Sequence, residues 1–454
     1  MAKVSVRYQC SACGASTPRW VGRCPKCHEF GTVSELAPIR AGATATAPVR
    51  AARPVSEIAA ADSPRRPVGL PEFDRVIGGG LVAGQVVLVA GEPGVGKSTL
   101  LLWVADLIAR RRVGNVLYIS GEESAEQIGV RARRINADSD TLLIADESDL
   151  AAVIGHIESS DPRLVVIDSI QTISSAELDG RAGGVSQVIE VTTALARVAK
   201  SRGMPMLIVG QSTKESTVAG PRALEHLVDT VLTFEGDRHT SLRLLRTSKN
   251  RYGPADEVAC FEQTEFGLAE VSDPSALFRG IREVAVPGTC VTVTVEGRRA
   301  ILAEIQTLMS AASGPPRRGV TGLDSSRVAM LIALTEATTK TPLNTRDVFV
   351  ATVGGARITD PAADLAICMA LWSQVTGAAI PMAVAAIGEV ALSGDVRPVS
   401  MLGQRVAEAA RAGYKTILVP PGSRERLGDI PAGVTVNEIP HVKRALDRLD
   451  ELRG

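Results

Sequence analysis

At 454 residues the chain is too long for one ordinary domain, and an apolar content of 45% with only 3% aromatics calls for large cores that are aliphatic and Ala-rich. Fifty Lys and Arg balance fifty Asp and Glu, so net charge argues neither for nor against nucleic acid, although basic residues outnumber acidic ones from Met1 to Arg66; the bland reading of that arm is a solubilising tail. MAKVSVRYQC has no apolar signal core, and the most apolar stretch, around Ala362 to Leu392, is broken by Asp364, Gln374 and Pro381. Secreted and membrane-spanning classes are therefore not expected, and the chain reads as cytoplasmic, where its seven cysteines are not expected to form disulfides.

Residues 1–35 form a cysteine module. Cys10 and Cys13, then Cys24 and Cys27, make two C-x-x-C pairs separated by ten residues. Each pair can offer two thiolates from one tight knuckle, and two knuckles complete a tetrahedron, so a closed structural zinc site is expected. Disulfides and an iron–sulfur cluster are the competing readings. A piece this small cannot fold on a core alone, so metal would supply its stability. Arg19, Trp20, Arg23 and Lys26 lie among the ligands and suit nucleic acid or a protein partner. His28 reads as a bystander. Residues 36–62 are rich in Ala, Pro, Thr and Arg without apolar periodicity, which is the composition of a flexible linker.

From 63 to 272, apolar strands alternate with helices. QVVLVAG, NVLYIS, RLVVID and MPMLIVGQ read as strands, with helices at STLLLWVADLIARR and around Val185 to Lys200. Continuous apolar strands between helices predict a mainly parallel sheet covered on both faces. The run Gly91, Glu92, Pro93, Gly94, Val95, Gly96, Lys97, Ser98, Thr99 fits G-x-x-x-x-G-K-[ST], with a strand before it and a helix after it. Its backbone N–H groups would close around a triphosphate, Lys97 would neutralise the β- and γ-phosphates, and Ser98 would ligate Mg²⁺. Asp168 ends an apolar strand, where a carboxylate can hold the Mg²⁺ water shell. Glu122 and Glu123 follow the strand VLYIS, and either can orient the attacking water; paired acids there can also be a plain first turn of a helix. Gln211 ends another strand and could sense the γ-phosphate or be a surface amide.

VDTVLTFEG and SLRLLRTSKN predict a hairpin, the second strand edge-like, running into a turn-rich segment with Lys249, Asn250, Arg251, Tyr252 and Gly253. Such a loop could place an Arg in a neighbouring subunit's nucleotide site, track a DNA backbone while Tyr252 stacks on a base, or be a solvated turn. From 273 to 454 the pattern is α+β. CVTVTVEGRRAILAEIQTLM is β-rich, helices are expected around Ser326 to Thr338 and Asp364 to Thr376, and shorter strands include AAIPMAVAAIGEV and KTILVP. Cys260, Cys290 and Cys368 sit in apolar contexts and read as core residues.

The order of cysteine ribbon, P-loop, GEES, LVVID, KNRYG and a C-terminal α+β block closely resembles the bacterial RadA (Sms) DNA repair proteins, with Tyr252 in the Phe position of that family's KNRFG signature. The resemblance covers essentially the whole chain and implies a RecA-like α/β ATPase core between a C4 zinc ribbon and a Lon protease-like domain. It also implies ATP, Mg²⁺ and Zn²⁺ as cofactors and a DNA-dependent, helicase-like motor. That motor would act on single-stranded and branched DNA, promote branch migration beside the RecA recombinase, and form a homo-hexameric ring with ATP between subunits. In it Lys97 and Asp168 take the Walker roles and Glu122 the catalytic glutamate position, while Lys249 and Arg251 couple nucleotide to DNA. Ala362 stands where Lon-like proteases carry their Ser and Arg405 where they carry their Lys; an Ala has no nucleophile and an Arg cannot act as a neutral base, so proteolysis by that dyad is not expected.

Overall fold

The computed structural model describes residues 7–17, 20–36, 54, 64–211, 221–236, 241–276 and 284–451. Most of the expected linker, together with Arg19, lies outside the described residues. The chain divides into two compact units, 1–61 and 62–454.

The first unit is a three-stranded antiparallel sheet of β1 (Arg7–Cys10), β2 (Ser16–Thr17) and β3 (Val33–Leu36), with β1 in the middle. Its core consists of Cys10, Cys24 and Val33, so the cysteines themselves are the interior.

The second unit begins with α1 (Pro71–Ile77), β4 (Val86–Gly91), α2 (Lys97–Ala109), β5 (Val116–Ser120), α3 (Ala125–Arg134), β6 (Leu142–Asp146) and α4 (Leu150–Ser160). It continues through β7 (Leu164–Asp168), α5 (Val185–Arg202), β8 (Met206–Gln211), α6 (Pro221–Leu224), β9 (Thr230–Gly236), β10 (Leu242–Asn250), β11 (Val258–Thr264) and β12 (Gly267–Glu270). These strands make one nine-stranded sheet in the order β12-β11-β10-β9-β4-β8-β7-β5-β6. Strands β4 to β9 pair in parallel, and β10, β11 and β12 add an antiparallel flank. β4, β5 and β7 are buried at every residue, as expected for strands covered on both faces, and separate cores line the two sides of the sheet. Helix α3 opens on a capping box, in which the Ser124 hydroxyl accepts from the Gln127 N–H and the Gln127 side chain accepts from the Ser124 N–H; such caps contribute about 1 kcal/mol.

The chain then forms β13 (Thr289–Glu296), β14 (Arg299–Ala311), β15 (Arg318–Thr321), α7 (Ser325–Thr339), β16 (Arg346–Thr352), α8 (Asp364–Thr376) and β17 (Val384–Ala386). After these come β18 (Glu389–Val390), β19 (Val396–Arg397), α9 (Leu402–Arg411), β20 (Thr416–Val419), β21 (Thr435–Glu438) and α10 (Val442–Glu451). A mixed seven-stranded sheet, β15-β16-β14-β13-β17-β20-β21, packs against α7, α8 and α10 on one core and α9 on another. Cys290 and Cys368 lie in the first of these cores, and Cys260 is buried in β11.

The two sheets meet at the β13–β14 hairpin. Arg299 at the start of β14 pairs with Glu72 of α1, and its guanidinium also donates to the Ser272 carbonyl at 2.8 Å. Both charged groups are nearly sealed from solvent, so the pair holds only because each charge is matched. At the tip, Gly297 has φ +59° and an added Cβ would lie 2.1 Å from the Asp256 carbonyl oxygen, while the Arg298 N–H donates to that oxygen at 2.7 Å. The hairpin tip is thus set against the turn that follows Gly253.

Candidate functional site

Strand β4 ends at Gly91, and the chain turns through the glycine-rich loop into α2. Gly96 holds φ +109°, which glycine adopts without steric cost, and a Cβ on Gly91 would come within 2.3 Å of the Phe234 carbonyl oxygen. Backbone N–H groups at the start of α2 are therefore available for phosphate oxygens. Lys97 is 6% exposed, and its ammonium donates to the carbonyls of Gly91 and Glu92, both at 2.8 Å. Burial pulls the pKa of Lys97 down, and the charges of Asp168 and Glu122 oppose that pull. Ser98 and Thr99 are half-buried in the first turn of the helix. A cleft of about 560 Å³ runs along the outer rim of the loop, between Gly91–Val95 and the end of β9 with Arg243.

Asp168 is the last residue of β7 and is buried beside Lys97. Its carboxylate accepts from the Tyr118 hydroxyl on the neighbouring strand β5. Burial, and then the charge of Asp168, push the Tyr118 pKa well above its usual value, so this phenol stays a donor. The two glutamates after β5 separate. Glu122 is exposed, and its Oε1 accepts from Ser169 Oγ at 2.6 Å and Gln211 Nε2 at 2.8 Å. Glu123 instead pairs with Arg131 of α3. The structure thus brings Lys97, Glu122, Asp168 and Gln211 to one end of the sheet and ties Glu123 to its own helix. Ser169 and Tyr118 are absent from the sequence reading. Ser169 had only its place directly after Asp168 as a signal, and Tyr118 only its polar tip inside an otherwise aliphatic strand.

The KNRYG segment differs from its sequence expectation. β10 is not an edge strand, because β9 and β11 pair with it on either side. Lys249 and Asn250 are the last residues of that strand rather than part of a free turn. Lys249 donates to the carbonyls of Glu225 and Val228, the latter at 2.9 Å. Arg251 pairs at 3.1 Å with buried Asp229, which also receives Lys200 and the Val86 N–H. Asn250 Oδ1 accepts the Tyr252 N–H at 3.0 Å, closing the turn. A Cβ on Gly253 would lie 3.1 Å from the Gly78 Cα, so backbone approach is what requires glycine there. Asn250 stands opposite Thr230, which lies beside Val87 near the start of β4. The motif is therefore at the end of the sheet away from its own phosphate loop, roughly 13 Å along β4 from Gly91 at about 3.3 Å per residue.

In the small unit, the Sγ atoms of Cys10, Cys13, Cys24 and Cys27 all lie within 4.8 Å of one another. Cys10 to Cys27 and Cys13 to Cys24 are each 3.6 Å. A disulfide needs about 2.05 Å, whereas a tetrahedron of about 2.3 Å Zn–S bonds has edges near 3.8 Å. The four thiols therefore fit a zinc ion and no disulfide. Trp20 and Phe30 are exposed, and the Arg23 guanidinium sits 5.2 Å from the Phe30 ring centroid.

In the C-terminal part, Ala362 and Arg405 are both buried and meet through Asp360. Asp360 accepts the Ala362 N–H at 3.0 Å and pairs with Arg405 at 2.6 Å. The guanidinium also donates to the carbonyls of Val293, at 2.6 Å, and Ser400, at 2.9 Å. No hydroxyl or neutral amine occupies either position.

These parts define a P-loop ATPase of AAA type, with a cysteine ribbon before the ATPase core and a Lon-type domain after it. Three family matches agree in order: a rubredoxin metal binding domain over residues 8–35, an AAA domain over 52–217, and the Lon protease (S16) C-terminal proteolytic domain over 325–451. The chain is 47% identical to the DNA repair protein RadA of Mycolicibacterium smegmatis, over 99% of this chain and 98% of that one. Identity is 41% with RadA of Bacillus subtilis (98% and 99% covered) and 42% with RadA of Pseudomonas aeruginosa (99% and 100% covered). The chain belongs to the bacterial RadA family of DNA repair proteins.

Proposed function

We propose that the chain is a DNA-dependent ATPase of homologous recombination and repair, a helicase-like motor that promotes branch migration on single-stranded and branched DNA beside the RecA recombinase. The observation that carries this reading is the convergence of Lys97, Asp168 and a Glu122 oriented by Ser169 and Gln211, which is an arrangement for hydrolysis. In this reading the amides of Gly91–Thr99 and Lys97 would hold the triphosphate, and Ser98 and Asp168 would hold Mg²⁺, which would supply charge neutralisation at the phosphates. Glu122 takes a proton from the attacking water, and Gln211 keeps the carboxylate aimed. Lys249 and Arg251, remote from their own loop, act at a neighbouring subunit's site in a homo-hexameric ring. Cys10, Cys13, Cys24 and Cys27 hold structural zinc. The domains run 1–35 (zinc ribbon), 36–62 (flexible linker), 63–272 (RecA-like ATPase) and 273–454 (a Lon-like scaffold in which the Arg405–Asp360 pair and Ala362 replace proteolytic chemistry). Among the described residues no helix is long and apolar enough to cross a membrane, and a cytoplasmic site of action is proposed.

The test is ATP hydrolysis with and without single-stranded DNA, followed by branch migration of a RecA-made intermediate. DNA should stimulate turnover, Lys97→Ala should abolish it, and Arg251→Ala should reduce turnover and migration without loss of fold. Hydrolysis indifferent to DNA, with no effect on the intermediate, would sink the motor reading.

A further inference from the structure

A cavity of about 510 Å³ lies at the end of the ATPase sheet where β5, β7 and β8 begin, beside Val113, Leu164 and Pro205. That is the end away from the phosphate loop. Arg65, Arg66, Arg111 and Arg163 line it, and among the described residues no carboxylate does. None of the four forms an ion pair among the described residues, although Arg110 and Arg112, on either side of Arg111, each reach a carboxylate.

Local structure holds these arginines in place. The Arg66 N–H donates to the Leu81 carbonyl and its carbonyl accepts the Leu81 N–H, both at 2.9 Å. Arg111 donates to the Val68 carbonyl at 2.7 Å and lies over Gly69, where a Cβ would come within 3.0 Å of its guanidinium. The Arg163 stem lies over Gly114, where a Cβ would come within 2.6 Å of its Cγ. Arg65 donates to the Tyr252 carbonyl at 2.5 Å, which ties the wall of the cavity to the KNRYG turn. Cations of one sign around a concavity repel one another and focus a positive field there, so the arrangement calls for an anion.

We infer that this cavity is a phosphodiester site, a groove for the sugar–phosphate backbone of DNA. The inference rests on the DNA-binding reading proposed above. Guanidinium groups match phosphate oxygens with paired N–H bonds. Arg66 and Arg163 donate no side-chain hydrogen bond among the described residues, so their donors are open to a ligand. The cations come from three segments of the chain, residues 65–66, the end of α2 and the start of β7, which suits a run of phosphates rather than one ion. Arg65 and Arg66 are also the last cations of the basic stretch that begins at Met1. Among the described residues no aromatic ring lines the cavity, so bases find no stacking platform and the site reads backbone without sequence.

The test is titration of the full chain, with Mg²⁺ and a non-hydrolysable ATP analogue, against labelled single-stranded and duplex oligonucleotides over a range of salt. Each phosphate contact adds about 0.7 for a single strand, or about 0.9 for a duplex, to the slope of log affinity against log salt. Arg66→Gln combined with Arg163→Gln should therefore lower the slope by ~1.4 or ~1.8, and the form that shows the shift is the one the groove holds. For a single strand, the wild type would lose about sevenfold more affinity than the double variant between ~50 and ~200 mM salt. Lys at both positions should restore the slope, because a cation there displaces counterions whatever its shape. Both residues are exposed, so the variants should melt with the wild type. A slope unchanged for both DNA forms overturns the assignment, as does a loss of affinity that Lys does not reverse. A change of oligomeric state in place of the slope shift also overturns it, since the arginines would then be holding a second copy of the chain. If the wild type binds neither form at any salt, the DNA-binding reading falls and this inference with it.

Discussion

Glu122 and Glu123 are neighbours with opposite fates. Glu122 is exposed and held by Ser169 and Gln211, while Glu123 is paired with Arg131 of the next helix. Glu122→Gln should therefore lower kcat by about 10²–10⁴-fold, the usual weight of a positioned base, with little change in ATP affinity. Glu123→Gln should change turnover by no more than a fewfold and lower stability slightly, because it loses one partly exposed ion pair worth about 0–1 kcal/mol. Single-turnover hydrolysis and equilibrium ATP binding measure the two effects separately. The spacing of GEES could not separate these residues. Which carboxylate is held beside the end of β8 depends on Ser169 and Gln211, 47 and 89 residues away. The loop glycines were legible because their conformational demand is local. The partners that aim Glu122 were not, because only the sheet order makes them neighbours.

Among the elements, the parallel strands could be read from their unbroken apolar runs, and the ends of α5, α7 and α8 fall close to where the pattern placed them. The position of β10 could not be read, because its alternating charges resemble an edge strand while β11 covers its far side. The cysteines follow their elements too. In the ribbon, short strands leave four thiols converging. In the large unit, burial pushes the Cys260 thiol up to about 11 and Cys368 up to about 12, and moves Cys290 further in the same direction. These three should resist a thiol reagent at pH 8 in the native protein, while the ribbon thiols react once a chelator removes metal. Counting modified thiols before and after chelation checks this. The native state also holds these three protons more tightly than the unfolded chain, whose thiols titrate near about 8.5. Their contribution to stability is therefore constant below that pH and declines as pH climbs from there toward the native values. Early reaction of the buried thiols would contradict the packing around them.

At the level of the whole molecule, the ATPase sheet and the Lon-type sheet are one compact unit joined by the buried Glu72–Arg299 pair and by a hairpin tip against the turn after Gly253. The domain that buries Ala362 and Arg405 has a mechanical place, since its β13–β14 tip supports the loop that follows the KNRYG motif. That motif lies at the far end of the sheet from its own phosphate loop, and in the proposed assembly each chain lends its cations to the next one. Two variants that are each defective, one without turnover and one with reduced turnover, should then repair one another. Lys97→Ala lacks a working loop but keeps Arg251, and Arg251→Ala has the reverse defect. Mixed in equal amounts they should regain part of the wild-type turnover through sites that draw one intact half from each chain, in the manner of complementing alleles. A mixture no more active than its components would place both residues in a single chain's site.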